Sequence, residues 1–221
     1  MVQALYGSLE TAEKMHYHEH ATTKILEYAQ AHGGKLKEYS NTTCGHDYLA
    51  AVESGKIKNH DILVQLSLDG AQLYHDKDSD CWIFVYIIHN LSPELHYKKR
   101  MVIPAGFIPG PEKMKDSDSF LFPILYHISA LQNEGLWIWD ASTQSHISHS
   151  TPFVFVTADG PAMAMISGMV GHSGKYGCQL YCGLPGCRQE RDSHYYPAML
   201  KPKAYAIAGC NHDDVTFSDL R

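Results

Sequence analysis

No stretch of this chain stays apolar for the ~18–20 residues that a membrane-spanning helix needs. The longest apolar run, Trp82 to Ile88, is strand length. The first residues, Met-Val-Gln-Ala-Leu-Tyr-Gly-Ser, lack a basic segment followed by an apolar one, so they do not read as a secretory signal. Positive charge is scarce as well. Eighteen Lys and Arg face 24 Asp and Glu, a net charge of −6. Duplex binding rests on neutralising phosphates, so this balance argues against tight DNA binding by this chain alone. Lys98-Lys99-Arg100 is the only tight basic run and reads as a solvated loop. There is no internal repeat and no low-complexity tract. The 221 residues therefore read as one large domain, or one domain with an insertion. Cysteine is thin over most of the length, with only Cys44 and Cys81 before the last quarter.

What is present suffices for a core, since 44% of residues are hydrophobic. Residues 8–33 read as a helix, with Ser8 as its cap and Gly33-Gly34 as its stop. His16, His18, His20 and His32 make that helix polar, and the first three read as a solvated face. The core begins near Asp61. Ile62-Leu63-Val64-Gln65-Leu66-Ser67-Leu68 and Trp82-Ile83-Phe84-Val85-Tyr86-Ile87-Ile88 are apolar runs of strand length, and Arg100-Met101-Val102-Ile103 starts a third that Pro104 ends. Such continuous runs suggest strands covered on both faces. A helix follows, capped by Asp118 or Ser119, with Phe120, Ile124, Ile128 and Leu131 at helical spacing, Pro123 in its first turn and Gly135 at its end. Leu136-Trp137-Ile138-Trp139 and Phe153-Val154-Phe155-Val156-Thr157 read as further strands, and 162–168 as a short helix. The order predicts an α/β (α+β) layered domain. Its first three strands form an antiparallel meander with the first strand central, and a later strand pairs with that first one. The segments divide as a helical 1–60, a core over 61–170 and a Cys/His-containing 171–221.

Two aspartates share one context. Asp69 and Asp159 each follow an apolar strand directly and precede a glycine. Carboxylates at neighbouring strand ends can converge on one point, and Mg²⁺ is often held by one or two carboxylates together with substrate phosphates. Asp-Gly after a strand is equally an ordinary turn signal. Asp140, after Trp137-Ile138-Trp139, has a similar look, and periodicity does not choose between it and Asp159. Downstream, Cys178, Cys182, Cys187 and His194 lie in a Gly-rich stretch, with His172, Cys210 and His212 nearby. Without an export signal, such a cluster reads as metal ligands before disulfides. Zn²⁺ takes four Cys or His ligands tetrahedrally. The competing reading is a set of reduced, partly buried thiols.

Leu66-Ser67-Leu68-Asp69-Gly70, Phe107-Ile108-Pro109-Gly110-Pro111, Trp139-Asp140-Ala141-Ser142, Ala158-Asp159-Gly160-Pro161-Ala162 and Gly171-His172-Ser173-Gly174-Lys175-Tyr176-Gly177-Cys178 occur in one order. That ordered set, from about Tyr39 onward, resembles the CACTA (En/Spm-like) DNA transposases, fungal members above all. The resemblance implies an RNase H-like mixed sheet flanked by helices and an Asp-Asp-Glu triad that holds Mg²⁺ or Mn²⁺. It maps the first acid to Asp69 and favours Asp159 over Asp140 for the second. It implies a zinc-type insertion using Cys178, Cys182 and Cys187 or His194, although the Cys-x3-Cys spacing here departs from the usual Cys-x2-Cys. The third acid, a glutamate on a helix, is expected beyond the insertion. Glu190, Asp213, Asp214 and Asp219 match no motif for it, and no separate DNA-binding module is evident, so the chain reads as a fragment or the product of a decayed element.

Two functions follow from these expectations. In the first, the complete protein cleaves DNA at transposon ends and transfers the strand to target DNA in the nucleus, without a membrane partner and with oligomerisation left open. In the second, the chain is a catalytically inactive, zinc-supported binding module derived from a transposase.

Overall fold

The computed structural model describes residues 1–72, 80–110, 116–150, 153–168, 170–171, 173–177, 186–188, 191 and 193–196. Three helices begin the chain: α1 (Val2–Tyr6), α2 (Leu9–Met15) and α3 (Tyr17–Ala31). Ser8 caps α2, its hydroxyl accepting the Thr11 N–H at 3.4 Å. The single helix read over 8–33 is divided at His16, whose φ of −87° and ψ of 4° depart from helical values. α3 stops at Ala31, close to the predicted glycines, and the Gly34 N–H closes the end on the Ala29 carbonyl at 2.8 Å. The histidine face is not solvated throughout. His18 is buried and His16 half-buried, because α3 lies against other parts of the domain rather than free in water.

After α4 (His46–Glu53) come β1 (Val64–Gln72), β2 (Asp80–Ile88), α5 (Pro93–His96), β3 (Ile103–Pro109), α6 (Ser117–Glu134), β4 (Leu136–Asp140), β5 (Ser145–His149) and β6 (Phe153–Thr157). Four strands make a mixed sheet in the order β3-β2-β1-β6. β1 pairs antiparallel with β2, from Val64↔Ile88 to Gln72↔Asp80, and parallel with β6, ending at Ser67↔Thr157. The meander with its first strand central, joined by a later strand, is thus as the sequence predicts, and the domain is mixed α/β with helices flanking the sheet.

Alternation along β1 decides its two faces. Val64, Leu66 and Leu68 are buried on one side, in register with Ile88, Tyr86 and Phe84. The Tyr86 hydroxyl donates to the Ile124 carbonyl of α6 at 2.9 Å, so α6 covers this side. Each of these large side chains stabilises the fold by roughly 1.5–3 kcal/mol through burial. The opposite side carries Gln65, Ser67 and Asp69, which pass from buried through half-buried to exposed along the strand. The run that reads as apolar on both faces is in fact two-sided.

The third strand lies later than predicted: residues 100–102 are not strand, and β3 begins at Ile103 and runs through Pro104 to Pro109. It is an edge strand, where a proline without an N–H is tolerated, and the register shift between Phe84 and Val85 leaves Ala105 as an extra residue. α6 starts two or three residues earlier than expected. Asp116 is its cap, accepting the Asp118 and Ser119 N–H groups, and Pro123 sits inside the helix at an exposed position. Gly135 ends it at a φ of +75°, where a Cβ would also come within 3.1 Å of the Ser148 hydroxyl. β4 does not join the main sheet but pairs with β5, a strand the sequence did not announce, in a two-stranded hairpin.

Asn90, just past β2, is the polar hub of this first unit (Met1–Thr157). It is buried, accepts the Leu63 N–H at 2.9 Å, and donates to the Asp61 carbonyl at 2.9 Å and to His18 Nδ1 at 3.1 Å. It therefore ties α3 to the entry of β1 and the exit of β2. The second unit (Ala158–Arg221) holds α7 (Gly160–Ser167), closed by Gly168 at φ +66°, and the two-residue strands β7 (Cys187–Arg188) and β8 (Tyr195–Tyr196). Its 173–177 turn is bonded to them through Gly186 N–H to Lys175 carbonyl, 2.6 Å, and Tyr195 N–H to Ser173 carbonyl, 3.0 Å. Among the described residues no helix is long and apolar enough to cross a membrane.

Asn90→Ala strands a buried amide N–H, a carbonyl and an imidazole nitrogen at once. It is expected to lower stability by about 3 kcal/mol. Urea denaturation is the measurement, and a change under about 1 kcal/mol would remove Asn90 from this role.

Candidate functional site

Asp69 is not a turn residue. β1 runs through Asp69-Gly70 to Gln72, and Asp69 stands opposite Ile83 of β2. What ends near Asp69 is the pairing with β6, whose last partners are Ser67 and Thr157. Asp69 thus sits on the exposed end of the polar row, beyond the parallel pair. Among the described residues no hydrogen bond or ion pair holds its carboxylate. Asp159 follows Thr157 by two residues, is exposed, and caps α7 by accepting the Ala162 N–H at 2.9 Å. Carboxylate oxygens are the donors that Mg²⁺ and Mn²⁺ favour.

Asp140 is built differently. It is fully buried at the end of β4, in the hairpin rather than the main sheet. Its carboxylate accepts the Ser142 N–H at 2.8 Å and the Ser142 hydroxyl at 2.6 Å, and it meets His16 Nε2 at 2.9 Å. Burial pushes this carboxyl up, but the Ser142 bonds and His16 outweigh it and hold the group below its usual range. The other ring nitrogen of His16 faces Glu19 at 3.2 Å. Tyr6, buried beside Asp140, packs its ring against His149 at 4.8 Å, and burial followed by the nearby Asp140 charge pushes its phenol up. Its carbonyl accepts the Ala141 N–H at 3.0 Å. The cluster fastens the N-terminal helices to the hairpin.

A third polar group lies under the row that leads to Asp69. The buried Gln65 donates through Nε2 to the Thr157 hydroxyl at 2.7 Å, and its Oε1 accepts from His89 Nε2 at 2.7 Å. The His89 ring lies 4.8 Å from that of His96 and 5.3 Å from that of Phe155. None of Gln65, His89 and Thr157 stands out as functional in the sequence. The available signal was a polar residue at every second position inside an apolar run. Two grooves, of about 520 and 570 Å³, are lined by neither Asp69 nor Asp159.

Cys178, Cys182, His172, Glu190, Cys210, His212, Asp213, Asp214 and Asp219 lie outside the described residues. So does the Cys187 side chain, although its backbone belongs to β7. His194 is exposed just before β8, with Nδ1 3.2 Å from the Ser193 hydroxyl. Among the described residues no three His, Cys, Asp or Glu side chains come together as a metal site.

The fold is a mixed α/β domain whose central strand carries the exposed Asp69. Residues 38–194 match the transposase family tnp2, and the chain belongs to that family. The match covers both Asp69 and Asp159. No curated protein shows significant similarity to the chain.

The three aspartates are distinguishable by stability alone. Asp140→Ala leaves His16 and Ser142 without their buried partner and is expected to cost on the order of 3 kcal/mol. Asp159→Ala removes a cap, about 1 kcal/mol, and Asp69→Ala stays within about 0.5 kcal/mol. Urea denaturation of the three variants gives the ranking, and an Asp140 variant as stable as the Asp69 variant would contradict it.

Acid sensitivity follows from the buried histidines. Burial pushes His18 and His89 down from 6.5 to about 4, with His149 and His96 lowered in the same direction for the same cause. The folded state therefore holds these rings neutral, while the unfolded chain protonates them near 6.5. Their contribution is intact above that pH and is lost as pH falls from about 6.5 to about 4, on the order of 3 kcal/mol for each of the two most shifted groups. Denaturation midpoints taken across this window are expected to fall steadily, and a flat profile would contradict the assignment.

Proposed function

We propose that this chain is the core of a CACTA-type transposase in which Asp69 and Asp159 together hold Mg²⁺ or Mn²⁺ for DNA cleavage and strand transfer in the nucleus. The observation that carries this reading is the parallel pair Ser67↔Thr157. Asp69 and Asp159 each follow that pair by two residues. Two residues of chain span at most about 7 Å, so each aspartate lies within that reach of its own strand's last residue in the parallel pair. The three-stranded meander with a parallel strand beside its first member agrees with the RNase H-like sheet that the resemblance implies.

Asp69 offers a carboxylate with no competing partner among the described residues, and Asp159 gives its Oδ1 to the cap of α7. Asp140 is engaged by His16 and Ser142, which favours Asp159 as the second acid. Divalent ions held by such carboxylates activate the attacking oxygen and stabilise the leaving one in phosphoryl transfer. The side chains of this chain orient and hold; the third acid is a glutamate expected beyond the insertion, which Glu190, Asp213, Asp214 and Asp219 do not match by motif. The Cys178, Cys182, Cys187 and His194 segment serves as a zinc-supported insertion.

Titration of the protein with Mn²⁺, read by electron paramagnetic resonance, tests the carboxylate pair. Binding is expected in the wild type, lost in Asp69→Ala and in Asp159→Ala, and retained in Asp140→Asn. Binding that survives both alanine variants would remove the metal role and favour the non-catalytic binding module. Metal analysis of the purified protein is expected to give about one zinc per chain, falling away in Cys178→Ser and Cys182→Ser.

A further inference from the structure

Gln65 poses a physical question of its own. It is the second residue of the central strand and 3% exposed, a setting that apolar residues usually fill. Burying an amide is costly unless both its ends are bonded. Here both are, and the two bonds reach different strands. His89, just past β2, donates Nε2–H to Oε1, which turns the amide so that its NH₂ group faces β6. That group then donates to Thr157, the last residue of β6. One side chain on β1 thereby links the exit of β2 to the end of β6.

The link stands where the backbone ladder is weakest. The β1–β6 register is irregular between Val64 and Gln65, where Val154 is the extra residue on β6, and the pairing lasts only to Ser67↔Thr157. Four pairs with an irregularity among them specify register poorly, and a slip of one residue turns every following side chain to the other face. Gln65 lies immediately after the irregularity, and Thr157 lies in the last pair, two residues before Asp159. Gln65 is itself four residues before Asp69 on the same face of β1, with Ser67 between.

We infer that Gln65, oriented by His89, is a positioning residue that locks Thr157 in register with β1, and with it the end of β6 from which the chain runs to Asp159. The inference rests on the reading of Asp69 and Asp159 as a metal-holding pair. It adds a role for a buried amide that touches neither the metal nor DNA. Partners that orient metal ligands from behind typically change metal affinity by about 10–100-fold when removed, with the ligands themselves intact.

The experiment is Mn²⁺ titration of Gln65→Leu, Thr157→Val and Thr157→Ser in the full chain, with thermal melting of each variant in parallel. Gln65→Leu and Thr157→Val are expected to weaken Mn²⁺ binding at least about tenfold. Thr157→Ser keeps the acceptor hydroxyl and is expected to retain wild-type affinity. The double variant Gln65→Leu/Thr157→Val is expected to bind no more weakly than the worse single variant, because the two side chains act through one bond. If Gln65→Leu does not fold, Thr157→Val and its serine counterpart carry the comparison, since melting shows which proteins are intact. Unchanged Mn²⁺ affinity in folded Thr157→Val, with Asp69→Ala still abolishing binding, overturns the positioning role and leaves the metal pair standing. Equal loss in Thr157→Val and Thr157→Ser overturns it as well, because the hydroxyl would not be the group that matters. Mn²⁺ binding indifferent to Asp69→Ala overturns the metal pair, and the positioning role with it.

Discussion

The pairing of β1 with a strand on each side, one antiparallel and one parallel, is the constraint on which the rest of this domain depends. A central strand must satisfy both rows of backbone groups and present side chains to two faces at once. One face of β1 solves this with Val64, Leu66 and Leu68 packed beneath α6. The other does not repeat the solution. It carries Gln65, Ser67 and Asp69, so the strand that anchors the core also delivers a carboxylate to solvent. The parallel neighbour, β6, ends two residues before Asp159.

The interior around this sheet is unusually polar, and its polar groups are placed at joints between elements. Asn90 ties α3 to both central strands, His16 and Asp140 join the helices to the β4–β5 hairpin, and Gln65 spans β2, β1 and β6. A fully bonded buried group contributes little net stability over an apolar one but costs heavily when its partner is wrong. Such groups penalise misarranged packing more than they reward the native one. Two buried nitrogens, on His96 and His149, have no partner among the described residues, and both rings are held neutral by burial.

Membership in the tnp2 transposase family fits a chain whose net charge is −6 only if contact with DNA does not rest on bulk charge. The carboxylate-held divalent cations proposed above would reconcile the two, because bound cations bring positive charge. Asp69 and Asp159 are exposed, whereas Asp140 is buried with its carboxylate on His16.

Local chemistry determined much by itself. Apolar runs of strand length located β1, β2 and β6, the Ser8 cap started α2, and the shared strand-Asp-Gly pattern singled out Asp69 and Asp159, because each of these signals lies within a few adjacent residues. Even there the limits were local. Pro104 read as a strand stop because edge position is not visible in sequence, and the α6 cap shifted to Asp116 because several acidic and hydroxyl residues compete at that turn. Tertiary structure alone decided the rest. His18 meets Asn90 across 72 residues, Gln65 meets Thr157 across 92, and His16 meets Asp140 across 124. No pattern along the chain encodes such distances. Whether a histidine is solvated or buried, whether an aspartate is exposed or bonded to a histidine, and which amide bridges two strands all depend on what folding brings from elsewhere.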